Sequence, residues 1–302
     1  MSLNRRDFLK LGSLASAASL LPLDLYSSPR PSRLSILHTN DTHSRIDPFP
    51  ASDSKYPNKG GVLGRMAAIH PFRQEEEQML LLDAGDIFQG TPYFNFFKGE
   101  IEIKLMSSMG YDAATMGNHD FDAGLDGFEK QLKHADFPFL TSNYDFRNTL
   151  LEGRTQAHTV FKKGSWKVGV FGLGIELDGL VQQSQFLETQ YLDPIEMAQE
   201  QVKQLKKKDC NLIVCLSHLG YKYGNDKVSD LHLARLCPEI NIIIGGHTHT
   251  FLDQGRLIKH SDNQETLIAQ TGWGGINLGR ITVEEHQNKL SFVNCEVQAI
   301  YA

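Results

Sequence analysis

The chain has 302 residues, of which 40% are hydrophobic and 22% are charged, so it holds ample material for a folded core. This balance is typical of an ordinary globular protein and excludes a disordered chain or a membrane protein. The formal net charge is -6 without a long run of one sign, which gives no support for a nucleic acid polymer as partner.

The first residues of the chain have the pattern of an export signal. Arg5 and Arg6 precede an apolar run rich in Ala, Ser and Leu that extends to about Leu25. This segment resembles a twin-arginine signal peptide, and the run is too short and serine-rich for a comfortable membrane span. The alternative is an amphipathic helix with two ordinary arginines.

The signal interpretation divides the chain at residue 31. We expect a signal peptide and linker over residues 1–31 and one catalytic domain over residues 32–302. The expected partner of the first segment is the twin-arginine export machinery. The protein would then be periplasmic or otherwise exported by that route.

After the linker, short apolar runs alternate with longer helical patterns. Strands rich in branched aliphatic residues are predicted at 34–37, 79–82, 113–115, 168–171, 212–216 and 242–244. Helices are predicted at 63–77 and 195–208, and the final strands at 266–270, 278–283 and 290–297. This order predicts an α/β domain with layered sheets.

The four cysteines, Cys210, Cys215, Cys237 and Cys295, form no CxxC pair, so a structural zinc knuckle is not expected. Cys210 and Cys215 would lie about 16 Å apart on one strand, whereas a disulfide needs Cα atoms within about 7 Å. We interpret the cysteines as buried thiols, and a long-range disulfide remains open.

Polar residues follow five of the predicted strands, where ligands bind in open α/β sheets. The segments are Asp41-Thr42-His43, Gly85-Asp86, Gly117 to Asp122, Ser217-His218 and Gly245 to His249. Each segment alone is more often a cap or a turn. Together they supply carboxylates, an amide and imidazoles, a ligand mixture that suits Mn, Fe or Zn.

The ordered set DxH, GDxF, GNHDFD, SH and GHTH resembles the calcineurin-like metallophosphoesterases, specifically their 5'-nucleotidase branch. The segments Leu37 to Asp41, Lys59 to Gly61 and Tyr111 to Ala113 are similar to that branch as well. The resemblance covers essentially the whole predicted domain. It implies the layered α-β-β-α sandwich of these enzymes.

The resemblance also implies two divalent metal ions, which could be Mn, Zn, Fe or Co. It assigns Asp41, His43 and His249 to the first ion, Asn118, His218 and His247 to the second, and Asp86 to both. Two ions about 3.5 to 4 Å apart need a shared carboxylate, and they can polarise a phosphoryl group. Only two of these seven ligands are anionic, so the cluster would remain positive enough to attract phosphate.

The resemblance implies a catalytic role for His119 and Asp122. The carboxylate would orient the imidazole, which would stabilise phosphoryl charge or protonate the leaving group. The alternative is that Asp122 only caps a helix that begins near Gly124. Arg45 could reach a phosphate, but an ordinary ion pair is the favoured interpretation, and Trp273 could either line the site or sit in a tight turn.

The expected function is hydrolysis of phosphate monoesters, with nucleotides as substrates. Relatives in this branch usually carry a further C-terminal domain that binds the nucleotide, and the residues after His249 are too few to build one. Alternatives are therefore a catalytic subunit that needs a separate nucleotide-binding chain, or a cyclic phosphodiesterase or UDP-sugar hydrolase. A metal-binding protein without turnover is a third class, and His119 and Asp122 argue against it.

Overall fold

The computed structural model describes residues 32–261, 264–286 and 289–302. The predicted twin-arginine signal lies outside the described residues, so the division at residue 31 stays a prediction. Within the described part, no helix is both long and apolar enough to cross a membrane.

The described residues form fourteen strands and seven α-helices. The strands are β1 (Ser32–Thr39), β2 (Met79–Asp83), β3 (Ala113–Thr115), β4 (Phe139–Leu140), β5 (Tyr144–Asp145), β6 (His158–Lys163), β7 (Trp166–Leu173), β8 (Gln190–Tyr191), β9 (Leu212–Ser217), β10 (Ile242–Gly245), β11 (Arg256–Lys259), β12 (Glu265–Ala269), β13 (Asn277–His286) and β14 (Lys289–Ala299). The helices are α1 (Val62–Glu75), α2 (Pro92–Phe97), α3 (Glu100–Met109), α4 (Gly124–Leu132), α5 (Gln183–Phe186), α6 (Pro194–Lys207) and α7 (Asp230–Leu236).

The longer strands form two six-stranded sheets. The first has the order β14-β13-β1-β2-β3-β4, in which β1 to β4 run parallel and β13 is antiparallel to β1. The second has the order β11-β12-β10-β9-β7-β6, in which β7, β9, β10 and β12 run parallel. Parallel strands end at one edge of their sheet, so each sheet collects its loops there.

Alternation along the strands divides the core into layers. Leu80 points into the core between the sheets, whereas its neighbour Leu81 points outward to the helices, as successive strand residues must. Residues of α1, α3 and α4 cover the outer face of the first sheet, and residues of α6 and α7 cover that of the second. The predicted α-β-β-α sandwich is therefore confirmed.

The predicted strands and helices agree with the structure to within one or two residues at most ends. Strand β6 was not predicted, because its residues are only partly buried and lack an apolar run. Its place at the edge of the second sheet explains this composition. The four cysteines are free thiols; Cys215 and Cys237 are buried, and Cys210 and Cys295 are partly buried.

Candidate metal centre

Parallel strands from both sheets bring the predicted site residues to one rim. In the first sheet, Asp41 and His43 follow β1, Asp86 follows β2, and Asn118 and His119 follow β3. In the second sheet, His218 follows β9, and His247 and His249 follow β10. These segments are far apart in the sequence. The two packed sheets place them together because their carboxyl edges lie side by side.

The backbone of these loops is held in a conformation that L-residues seldom adopt. Asp41, His43, Asp86, His247 and His249 have φ angles between 48° and 69°. The β1 and β2 loops support one another, since the backbone N–H groups of Asp41 and His43 donate to the carbonyls of Gly85 and Asp86 at 2.9 and 3.0 Å. Strain of this kind persists only where neighbouring bonds enforce it, and it is concentrated at functional sites.

Four side chains form a first group of potential ligands. Atoms of Asp41, His43, Asp86 and His249 all lie within 4.8 Å of one another. The His249 Nε2 atom is 3.0 Å from His43 Nε2 and 3.3 Å from Asp41 Oδ1. The His43 Nε2 atom is 3.9 Å from Asp86 Oδ2.

A second group shares Asp86 with the first. Atoms of Asp86, His218 and His247 again lie within 4.8 Å of one another. The His218 Nε2 atom is 3.1 Å from Asp86 Oδ2, and His247 Nδ1 is 2.8 Å from Asn118 Oδ1. Asp86, His218 and Asn118 are buried, so few water molecules can reach these atoms.

Hydrogen bonds at Nδ1 of two histidines indicate that their Nε2 atoms face the cluster. His218 Nδ1 is 2.7 Å from the Ala84 carbonyl and His43 Nδ1 is 3.3 Å from the Phe88 carbonyl. A nitrogen that donates to a carbonyl leaves the opposite Nε2 with a lone pair. The buried Nε2 of His218 lies 3.1 Å from Asp86 Oδ2 but is poorly aligned for a hydrogen bond with it. Imidazole lone pairs and carboxylates thus converge on one small volume. This arrangement is unfavourable unless a cation, either a proton or a metal ion, neutralises it.

The electrostatics of the cluster lead to the same conclusion. Burial opposes a charge on His218, but Asp86 and Asp41 outweigh it and raise the pKa of the imidazole to about 10. Burial lowers the pKa of His247 to about 4. A proton on His218 Nε2 and a divalent cation would therefore compete for one lone pair, and the residues present fit a divalent metal.

His119 and Asp122 lie beside the cluster and contact each other. His119 Nδ1 is 2.8 Å from Asp122 Oδ2, and this hydrogen bond is the main cause of the raised pKa of His119. The side chain of His119 is 36% exposed, in contrast to the buried His218. Helix α4 begins after Ala123 without a side-chain capping bond, so Asp122 does not cap it.

One residue inside the GNHDFD motif received no role from the sequence. The carboxylate of Asp120 is fully buried and accepts four backbone hydrogen bonds. Its donors are the N–H groups of Asp86, Ile87, Phe88 and Gly117, at 2.8 to 3.1 Å. Asp120 therefore joins the β2 loop to the β3 loop. Its position in a turn of acidic residues gave no sign of this in the sequence.

The structure shows the contacts of Trp273 and Arg45, the two residues whose roles the sequence left open. Trp273 stacks on His249 with ring centroids 5.7 Å apart and planes at 11°, so it lines the cluster. It also lies in a tight turn, because Gly272, Gly274 and Gly275 flank it with positive φ. The Arg45 guanidinium lies over the Phe49 ring, 3.9 Å from its centroid.

Comparison with known proteins agrees with this arrangement. Residues 34–251 match the calcineurin-like phosphoesterase family. The chain belongs to this family. Together, the family and the cluster of Asp and His side chains support a metal-dependent phosphoric ester hydrolase with a divalent metal site.

Three relatives illustrate the similarity. The snake venom 5'-nucleotidase of Crotalus adamanteus is 37% identical over 83% of this chain and 45% of its own length. The 5'-nucleotidase of Homo sapiens is 31% identical over 83% of this chain and 46% of its own. The 5'-nucleotidase precursor of Thermus thermophilus superposes with a TM-score of 0.79 at 32% identity, over 89% of this chain and 55% of that one. The chain thus spans about half the length of these relatives.

Proposed function

We propose that this chain hydrolyses phosphate monoesters, with nucleotides as its substrates, by means of two divalent ions. The observation that carries the proposal is the position of Asp86, whose carboxylate belongs to both groups of potential ligands. A carboxylate shared between two ions offsets their mutual repulsion. The proposed ligands are Asp41, His43 and His249 for one ion, Asn118, His218 and His247 for the other, and Asp86 for both.

Bound at this rim, divalent ions would polarise the phosphoryl group and lower the pKa of the attacking water. The chain's own residues supply the rest of the chemistry. Asp122 fixes the His119 ring through Nδ1 and raises the pKa of the imidazole, so His119 stays protonated to higher pH. A protonated His119 can donate from Nε2 to a phosphoryl oxygen or to the leaving-group oxygen.

The remaining exposure of the rim suits substrate entry. The side chains of His119 and His249 are 36% and 40% exposed, whereas Asp41, Asp86 and His218 lie beneath them. The two carboxylates among the proposed ligands, Asp41 and Asp86, lie on the buried side, and the imidazoles of His119 and His249 lie on the open side. A phosphate dianion would therefore approach from the less negative side.

The proposal is tested with metal-loaded protein and a panel of AMP, UDP-glucose, 2',3'-cyclic AMP and p-nitrophenyl phosphate. We expect turnover of AMP and p-nitrophenyl phosphate, and a loss of turnover in both Asp86→Ala and His119→Ala. Metal content should fall only in Asp86→Ala, because His119 is not a proposed ligand. The exposed His70 gives a matched control, and His70→Ala should behave as the wild type.

Other outcomes of the panel have distinct meanings. Preference for the cyclic ester or UDP-glucose would replace the monoesterase proposal with a phosphodiesterase or a UDP-sugar hydrolase. Absence of all turnover in fully loaded protein would contradict a freestanding enzyme. It would favour a catalytic subunit that requires a second, nucleotide-binding chain.

We also propose export by the twin-arginine pathway. Arg5 and Arg6 followed by an apolar run support it. Replacement of both arginines by lysine should leave the protein in the cytoplasmic fraction of the producing cell, whereas the unaltered chain should reach the periplasm. Equal distribution of the two proteins would refute this proposal.

A further inference from the structure

Aromatic rings continue outward from the metal centre and form a surface that we call the aromatic wall, made of Phe49, Tyr56, Phe251 and Trp273. Trp273 begins it, stacked on His249 at 5.7 Å. Tyr56 meets Trp273 edge to face at 6.2 Å, and Phe251 lies nearly parallel to Tyr56 at 6.5 Å. These ring-to-ring distances are within the range of direct aromatic contact.

The wall is fixed to the same residues as the metal centre. The Asp41 carbonyl accepts the N–H of Gly274 at 2.7 Å, and the Asn40 amide donates to the Gly272 carbonyl at 2.7 Å. The Phe251 ring packs against the backbone of Gly272, where a Cβ atom would lie 2.2 Å from it. The position of the rings relative to Asp41 is therefore set by the fold before any substrate binds.

Part of the wall is open to solvent although it is apolar. Within the wall, Phe49 is buried, whereas Phe251 is 43% exposed and Tyr56 and Trp273 are only partly buried. An exposed aromatic group beside a reactive centre is unfavourable in water and typically marks a binding surface. Its continuity with His249 indicates that the occupant also reaches the metal centre.

Two positively charged side chains lie next to these rings. Arg45 lies over Phe49 at 3.9 Å and Lys55 Nζ lies 5.1 Å from the centroid of Tyr56. Flat rings with nearby positive charge suit a ligand that is planar at one end and anionic at the other. A phosphate ester of a nucleoside has this chemistry, and a sugar phosphate lacks the planar part.

We propose that the aromatic wall is the subsite for the nucleobase of the substrate, which stays attached to the nucleoside that leaves when the phosphate ester is hydrolysed. The proposal rests on the proposed phosphoesterase function and adds its specificity. Tyr56 is two ring-to-ring contacts away from His249, and Phe251 is three. The two rings therefore lie beside an ester whose phosphate is at the metals. By this inference the chain selects nucleotides over sugar phosphates with its own residues.

The test compares kcat/KM for AMP with kcat/KM for ribose 5-phosphate, which has the same phosphate and sugar but no base. We expect the wild type to favour AMP, and Tyr56→Ala and Phe251→Ala to lower the AMP to ribose 5-phosphate ratio about five- to tenfold, as lost stacking predicts. Tyr56→Phe keeps the ring and should keep the ratio. Leu236→Ala, an exposed site on α7, is the control for surface truncation.

Equal use of both substrates by the wild type, or the same ratio in wild type and ring-deleted variants, would overturn the inference while leaving the hydrolase proposal intact. The latter result would point to a partner polypeptide as occupant of the wall. Failure to hydrolyse either substrate would instead contradict the proposed function. Adenosine binding is then measured by the quenching of tryptophan fluorescence, to which the buried Trp166 contributes a constant background. Weaker quenching in Phe251→Ala than in the wild type would support the subsite, and no quenching in the wild type would refute it.

Discussion

Replacement of Asp120 by asparagine should weaken both the fold and metal binding. In the structure, Oδ2 accepts from Asp86 and Gly117, and Oδ1 accepts from Ile87 and Phe88. An asparagine converts one of these atoms into a donor, so two buried N–H groups lose their acceptor. Each such group costs about 1–3 kcal/mol, which predicts a loss of about 2–6 kcal/mol in the free energy of unfolding.

The same change should also loosen the metal ligands. Either orientation of the amide releases part of the Asp86 loop, and loss of such supporting bonds typically lowers metal affinity about 10- to 100-fold. Urea unfolding of the metal-free protein and competition with a chelating dye measure the two effects separately. Asp126→Asn, an exposed carboxylate on α4 paired with Lys130, is the matched control.

A free energy of unfolding of Asp120→Asn within about 0.5 kcal/mol of the wild type, the range of ordinary surface substitutions, would show that these hydrogen bonds contribute little to stability. An unchanged metal affinity beside a large loss of stability would show that Asp120 supports the fold but not the ligand geometry. If the Asp120 and Asp126 substitutions changed stability and metal affinity equally, the four hydrogen bonds of Asp120 would not be the cause.

Three further predictions concern the protons and the backbone of the site. Because Asp122 raises the pKa of His119, Asp122→Asn should move the alkaline limb of the kcat profile to lower pH, and an unmoved limb would count against His119 as the proton donor. His218 has a pKa of about 10 before metal binding, so it should release its proton when metal is added at pH 8. A pH-stat titration measures the protons released. Release of as many protons by His218→Ala as by the wild type would disprove this prediction. Gly85→Ala should lower the free energy of unfolding by about 1–3 kcal/mol and reduce metal binding, because its Cβ would lie 2.5 Å from the Gly117 nitrogen. Gly153 also has a positive φ, but a Cβ there would meet open space, so Gly153→Ala is the control. Equal losses of stability in both variants would show that backbone strain alone causes the effect.

The layered fold could be predicted from the sequence because its parallel strands are buried on both faces. Runs such as Met79 to Leu82 are continuous and aliphatic, and they stand out from the helical patterns between them. Strand β6 and the two-residue strands lack this signal. Their formation depends on a neighbouring strand, which the local sequence does not reveal.

The candidate site could be assembled from the sequence because its residues follow strand ends in a recognisable order. Composition and spacing indicated a metal centre, and the family resemblance supplied the division into two ligand groups. The hydrogen bonds of Asp120 and the ring contacts of the aromatic wall could not be predicted in this way. Tyr56 and Phe251 are distant in the sequence, and only the packed loops bring their rings together.

Two divalent ions that share the Asp86 carboxylate are the basis of the proposed function. Electron paramagnetic resonance of protein loaded with Mn²⁺, with the bound metal counted by elemental analysis, tests this most directly. We expect two Mn²⁺ per chain with an exchange-coupled spectrum, which should disappear in Asp86→Ala. One Mn²⁺ per chain, or two with the spectra of isolated ions, would contradict it.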